Sequence, residues 1–144
     1  MARMCASSSP RSRSGHTMKR SIRPDGFVQN PAFPFTPAVE TNGLIFISGQ
    51  VANVGNAPAL RNTNIAEETT QVMENLGAIL KAAGLGYDDL VKCTIYVSSL
   101  QYYAEVGRIY MSYFKGDVPA RETIAVKELP RGANVEISAV AARS

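Results

Sequence analysis

Histidine and cysteine are nearly absent from this chain of 144 residues, which has one of the former, two of the latter and no tryptophan. The lone histidine, His16, stands among arginines and serines near the N-terminus. Ser-His and Cys-His nucleophilic machinery, like a His-ligated zinc site, needs an imidazole held in a folded body. Triad hydrolases and such zinc enzymes therefore have no raw material, and no metal site is expected. Cys5 lies in the same N-terminal region and Cys93 on an apolar strand pattern. A disulfide would tie a floppy end to a core, so two thiols in a reducing compartment fit better, with Cys93 as packing.

Long apolar runs are also missing. A run such as Leu44 to Ile47 falls far short of the roughly 18 residues that a membrane helix needs, so no membrane partner is expected. No Gly-x-x-x-x-Gly-Lys segment is present, and Gly84-Leu85-Gly86 reads as a helix end rather than a dinucleotide loop. Nucleotide-driven chemistry has no support. The neighbouring acids Glu67 and Glu68, and Asp88 and Asp89, read as dipole-compensating or solvated residues rather than metal ligands.

Acids are lacking altogether from residues 1–24, which carry Arg3, Arg11, Arg13, Lys19, Arg20 and Arg23. The remainder has nine bases and twelve acids, so the formal net charge of +3 arises in the tail while the body is mildly acidic. Positive charge confined to a tail makes no basic groove, and nucleic acid is not an expected partner. Residues 1–20 also hold Ser7, Ser8, Ser9, Ser12 and Ser14 and no stretch long enough for a secretory leader. Arg-rich, Ser-rich and acid-free is the composition of an organellar transit peptide. The tail is thus read either as a mitochondrial presequence or as a plain disordered extension of a cytoplasmic protein.

What is present suits one folded unit. Hydrophobic residues make up 45% and charged residues 19%, enough to build a core in a single domain over 21–144. Gly43 to Ser48 reads as a strand buried on both faces, closed by Gly49. Asn64 opens a helix, with Glu67 completing a capping box, and Ile65, Val72, Leu76, Ile79, Leu80 and Ala83 keep helical spacing up to Gly84. A second strand runs over Val91 to Ser98 with Val91, Cys93, Ile95 and Val97 on the core face. Ser98 or Ser99 caps a second helix through Tyr113, ended by Gly116. Two more strands, Arg121 to Lys127 and Asn134 to Ala141, flank the turn Leu129 to Ala133. Two helices against one sheet give a two-layer α+β domain, and crossover helices imply some parallel pairing.

Near the C-terminus, Pro119-Ala120-Arg121 starts one strand and Val135-Glu136-Ile137 sets a carboxylate between apolar residues on the last. An arginine at a strand start offers a planar fork to a carboxylate, and a glutamate flanked by apolar residues can position or deprotonate water. A structural ion pair, or two exposed strand residues, fits the same pattern, which by itself leaves these alternatives open. If the last strands formed a hairpin, Arg121 and Glu136 would lie five residues apart along the ladder, about 17 Å. One small substrate could not reach both within a chain.

At these residues the chain resembles the Rid or YjgF family of reactive-intermediate deaminases. The resemblance rests on Pro119, Ala120, Arg121, Ile124, Lys127, Leu129, Val135, Glu136 and Ile137, on Ser48-Gly49-Gln50 after an apolar strand, on Ala82-Ala83-Gly84-Leu85, and on Val91 to Val97. It extends from about Arg20 to Arg143. It implies a chorismate-mutase-like α+β fold with a mixed sheet and two helices on one face. It further implies a homotrimeric barrel with clefts between subunits, and hydrolysis of 2-aminoacrylate-type enamines or imines, released by pyridoxal-phosphate dehydratases, to 2-keto acids and ammonia. No cofactor is implied. Carried over, Arg121 holds the substrate carboxylate and Glu136 the attacking water, while Ser48, Gly49, Phe35 and Thr123 line the pocket. Phe35 stands where the family often has a tyrosine, Glu122 and Thr123 replace a small residue and a cysteine-like one, and Gly107 replaces a common asparagine. Two other functions stay open: a non-catalytic, small-carboxylate-binding or chaperone-like trimer, and a single-strand ribonuclease, which the acidic body and missing histidine suit poorly.

Overall fold

The computed structural model of the protein describes residues 18–144. Most of the expected basic tail, with Cys5 and His16, lies outside the described residues. The strands are β1 (Arg20–Ile22), β2 (Ala38–Thr41), β3 (Leu44–Gln50), β4 (Leu90–Val97), β5 (Ala120–Ala125) and β6 (Val135–Ala142); the helices are α1 (Ile65–Ala82) and α2 (Tyr103–Met111). The strands form one mixed sheet in the order β1-β2-β3-β6-β4-β5. Both helices pack on one face, as the two-layer α+β reading requires.

The expected hairpin of the last two strands does not form. β5 instead pairs parallel with β4 at the sheet edge, while β6 inserts antiparallel between β3 and β4. Each of β3 and β4 runs into a helix that returns the chain parallel to it, so β5 lands beside β4. The gap between β3 and β4 is left for the last strand, which there pairs on both sides. β1 and β2 were not expected at all. They follow from Asn42 and Gly43, both at positive φ (51° and 76°), a two-residue turn whose twist suits a hairpin between β2 and β3.

The α1 cap is half of the expected box. Asn64 Oδ1 accepts from Glu67 N at 2.8 Å, but the Glu67 carboxylate turns toward Arg61 at 3.7 Å rather than back to the cap. β3 alternates where continuous burial was expected, and β4 keeps its expected alternation except at its start. Ile45 and Ile47 are buried, whereas Leu44 and Phe46 face out at 39% and 46% exposure. In β4 a register irregularity between Leu90 and Lys92 puts Leu90 in the core and leaves Val91 exposed. The second helix ends sooner than the pattern implied, at Met111, with Tyr113 and Phe114 in following turns.

The polar ties that fix this arrangement are few and specific. Glu68, wholly buried one turn into α1, accepts from Asn134 N at 2.6 Å, Asn134 Nδ2 at 3.0 Å and Val135 N at 3.3 Å. Its position near the positive end of α1 stabilises the negative charge. At the opposite edge, Glu40 accepts a fork from Arg143 (2.8 and 3.0 Å) and a third bond from Arg20 at 2.7 Å. The fork, helped by Arg20, holds its carboxyl down at about 2. Asn75 of α1 donates to the carbonyls of Val51 and Asn53, pinning the loop after β3.

Removing the Glu68 carboxyl would orphan two backbone N–H groups in a buried setting, each costing about 1–3 kcal/mol. Glu68→Ala should therefore lose about 3 kcal/mol, a fall in melting temperature of roughly 6–12 °C for a domain of this size. Denaturant unfolding would measure it, and a loss under about 1 kcal/mol would show that water satisfies these donors.

Candidate active site

Arg121 pairs in register with Cys93 of β4, whose side chain is wholly buried beneath the helices. Paired residues of neighbouring strands project to the same face, so the guanidinium lies on the helix side of the sheet. It sits 5.3 Å from the ring centre of Tyr110 and 5.6 Å from that of Tyr103, and its Nη2 donates to Tyr103 Oη at 3.3 Å. Tyr103, Gly107 and Tyr110 fall at i, i+4 and i+7 along α2, which sets them in one stripe above the arginine.

The stripe and Arg121 line a cavity of about 360 Å³, whose walls include Met111 and Val118. Among the described residues, none of the five ion pairs uses Arg121. A guanidinium stacked between tyrosines with no carboxylate beside it is prepared for an anion from outside the chain. Tyr110 is buried, with the Cys93 thiol as the neighbour of its Oη. Burial also pushes the Cys93 thiol up, so the sulfur stays protonated and serves as packing.

Glu136 occupies the other face. It pairs with Tyr96 and alternates with Val135 and Ile137, both buried against the helices, so its carboxyl projects to the helix-free side. There it meets Gly49. A Cβ at that glycine would stand 2.6 Å from Glu136 Oε2, so no other residue fits without displacing the carboxyl. The β3 register shifts between Ile47 and Gln50, which places Ser48 and Gly49 in a bulge beside Glu136. Ser48 donates to the carbonyl of Thr36 at 2.6 Å and its N–H to that of Pro37, which ties the Phe33–Pro37 loop to the bulge. Half-buried and without a hydrogen bond among the described residues, the Glu136 carboxyl is raised above its ordinary 4.5 by desolvation.

The predicted residues thus separate into two groups. Glu136, Ser48 and Gly49 come together, with the half-exposed Phe35 on the adjoining loop. Arg121 and Thr123, which pairs with Ile95, share the helix side at the β5 edge. Arg121 and Glu136 are offset by three residues along β4 and two strand spacings, about 14 Å between backbones, and they point to opposite faces. The separation expected from a hairpin therefore holds for a different reason. Glu122 turns away from Arg121 as alternation requires, and pairs with Lys92 at 2.7 Å.

Sequence reading missed Tyr103 and Tyr110 as walls of the arginine cavity. Tyr110 carried only a core-like spacing signal, and Tyr103 none, because β5 comes to lie beside β4 under α2 only in the folded chain. No group of three or more His, Cys, Asp or Glu side chains that could hold a metal ion occurs among the described residues.

Fold and site define a small α+β domain with a mixed six-stranded sheet, two helices on one face and an unpaired arginine in an apolar cavity. The family model described as Endoribonuclease L-PSP matches residues 28–143, and the chain belongs to that family, which includes the Rid proteins. A mouse protein named 2-iminobutanoate/2-iminopropanoate deaminase is 41% identical over 108 residues, covering 75% of this chain and 80% of the relative. A RutC family protein of Aquifex aeolicus is 42% identical over 116 residues, 78% of this chain and 91% of the relative. Among solved structures, a Rid family protein from Yersinia pestis superposes with a TM-score of 0.80 at 35% identity, covering 87% of this chain and 99% of its own.

The raised Glu136 carboxyl has a consequence for pH. If the ionised form takes part in turnover, kcat/KM should rise with pH through a midpoint above 4.5 and be lost as pH falls below it. Glu136→Gln should remove this acid limb. A limb that persists unchanged in the variant would assign it to another group.

Proposed function

We propose that the chain hydrolyses small 2-imino acids and their enamine tautomers to 2-keto acids and ammonia, as the names of its relatives indicate for those proteins. Water adds to the C=N carbon of R–C(=NH)–COO⁻, the C–N bond then breaks, and R–CO–COO⁻ leaves with NH3. The observation that carries the reading is Arg121, a guanidinium held by Tyr103 and Tyr110 with no carboxylate of its own among the described residues. Its fork takes the substrate carboxylate in two parallel hydrogen bonds. Glu136, desolvated and raised, accepts a proton from the attacking water.

These two groups serve one substrate only if the site is shared between subunits, because they face opposite sides of one sheet. A homotrimer meets that need. Its support within the chain is the helix-free face, where Leu44 and Phe46 of β3 and Ile124 of β5 stand exposed at 39%, 46% and 44%. Such a face calls for cover by another copy. Residues 1–20 are proposed to be a tail separate from the domain of 21–144, acting as a mitochondrial presequence, with retention in the cytoplasm as the alternative. Mapping the mature N-terminus in cells decides between them: cleavage supports import, and an intact residue 1 with a cytosolic signal opposes it.

A second reading has one observation in its favour. Phe35, half exposed beside the Glu136 group, brings no hydroxyl to substrate or water, which suits a trimer that binds carboxylates without turnover. Coupling the protein to a pyridoxal-phosphate dehydratase and following pyruvate or 2-ketobutyrate release separates the two. Acceleration over the uncatalysed rate is expected, and its absence with tight 2-keto acid binding favours the non-catalytic trimer.

Arg121→Lys keeps the charge but loses the fork, and should weaken carboxylate binding by about tenfold or more. Glu136→Gln should spare binding and lower kcat by about 100-fold or more. Light scattering is expected near three times the single-chain 15.5 kDa. Mixing the two variants should restore part of the activity, since one interface then joins an intact Arg121 to an intact Glu136. Mixed trimers that form yet stay inactive would sink the shared site.

A further inference from the structure

We infer that the cavity beside Arg121 holds the side chain of the substrate, and that Gly107 makes it a pocket for bulky apolar groups, so that the preferred substrates are 2-imino acids with branched or aromatic side chains. The inference rests on Arg121 as the carboxylate anchor. Gly107 lies inside α2, in the middle of the stripe formed with Tyr103 and Tyr110. Glycine there weakens a helix relative to alanine, and nothing within the chain requires it. Its φ is not positive. A Cβ would meet only one neighbour within 4 Å, Arg121 Nη1, at an unstrained 3.6 Å.

What the missing side chain does is leave open the space directly beside the guanidinium. Any residue longer than alanine would project across Arg121 into the cavity. The walls are apolar where they are most open: Tyr103, Met111 and Val118 are about half exposed. Large apolar side chains left bare around an unpaired cation describe a ligand with a carboxylate at one end and a hydrocarbon group at the other. Size sets the scale. A cavity of about 360 Å³ is more than twice the roughly 150 Å³ that admits benzene, ample for an isobutyl or benzyl group and mostly empty around a methyl.

Each buried methylene favours binding about fourfold, so an isobutyl side chain should exceed a methyl by at least about tenfold. The test uses the full-length protein with imines made in situ by an L-amino-acid oxidase from leucine, phenylalanine or alanine, the surviving imine being trapped as its semicarbazone. Calorimetric binding of 4-methyl-2-oxopentanoate and pyruvate gives a second readout independent of turnover. The leucine- and phenylalanine-derived imines should be favoured over the alanine-derived one by tenfold or more in kcat/KM. Gly107→Leu should lower that ratio at least tenfold. Gly107→Ala should lower it less, with a melting temperature at or above the parent's, and it decides the matter if the leucine variant fails to fold. A parent ratio near one, or a ratio unmoved by folded Gly107 variants, overturns the inference, as it would if a second copy filled the cavity. If Arg121→Lys leaves both keto acids bound as before, the anchor itself is wrong. If that variant loses both while Gly107 variants keep the ratio, only the pocket inference fails.

Discussion

The carboxyl of Glu68 organises the centre of the molecule. It is wholly buried, yet it gathers two backbone N–H groups and one side-chain amide from the residues that begin β6. Those donors would otherwise be orphaned as the chain leaves the Pro130–Gly132 turn and enters the sheet. By holding Asn134 and Val135 against the first turn of α1, the carboxyl sets the register of the central strand. Everything on β6 inherits that register, including which face Glu136 takes.

From this register follows the division of the site. Because β6 slips between β3 and β4, Glu136 meets the Ser48–Gly49 bulge on one side of the sheet, while the α2 crossover delivers β5 and Arg121 to the other. A one-residue slip of β6 would bury Glu136 and expose Val135 and Ile137. The alternation of Val135, Ile137, Ala139 and Ala141 into the core therefore fixes the placement of the proposed catalytic carboxyl as well as the fold. The proposed trimer answers a need that the single chain creates, namely two complementary groups on opposite faces and an uncovered apolar surface beneath one of them.

The arginine half of the site shows a different economy. Arg121 has no acidic partner among the described residues, and its orientation comes from aromatic rings and one phenol oxygen. Rings hold a guanidinium without neutralising it, which leaves its charge available to a ligand. Glu40, by contrast, is saturated by Arg143 and Arg20 at the far edge. That edge is closed to a ligand for the same reason that the Arg121 cavity stays open to one.

Local signals determined much of this protein. The Asn64 cap and the apolar spacing of Ile65 to Leu80 specify α1, alternation specifies β4 and β6, and the run around Arg121 and Glu136 marks the two chemical groups, because each rests on neighbours close in sequence. Asn42-Gly43 carries a local hairpin signal too, but the sequence reading passed over it and the structure supplied β2. Strand order was not legible, since the turn at Leu129 to Ala133 serves a hairpin and a crossing to the sheet centre equally well. Only tertiary packing decided that β6 enters between β3 and β4, that Glu68 is a buried receiver rather than a solvated acid, and that Tyr103, Gly107 and Tyr110 close over Arg121. Those outcomes depend on contacts between segments distant in sequence, whose energies no local pattern encodes.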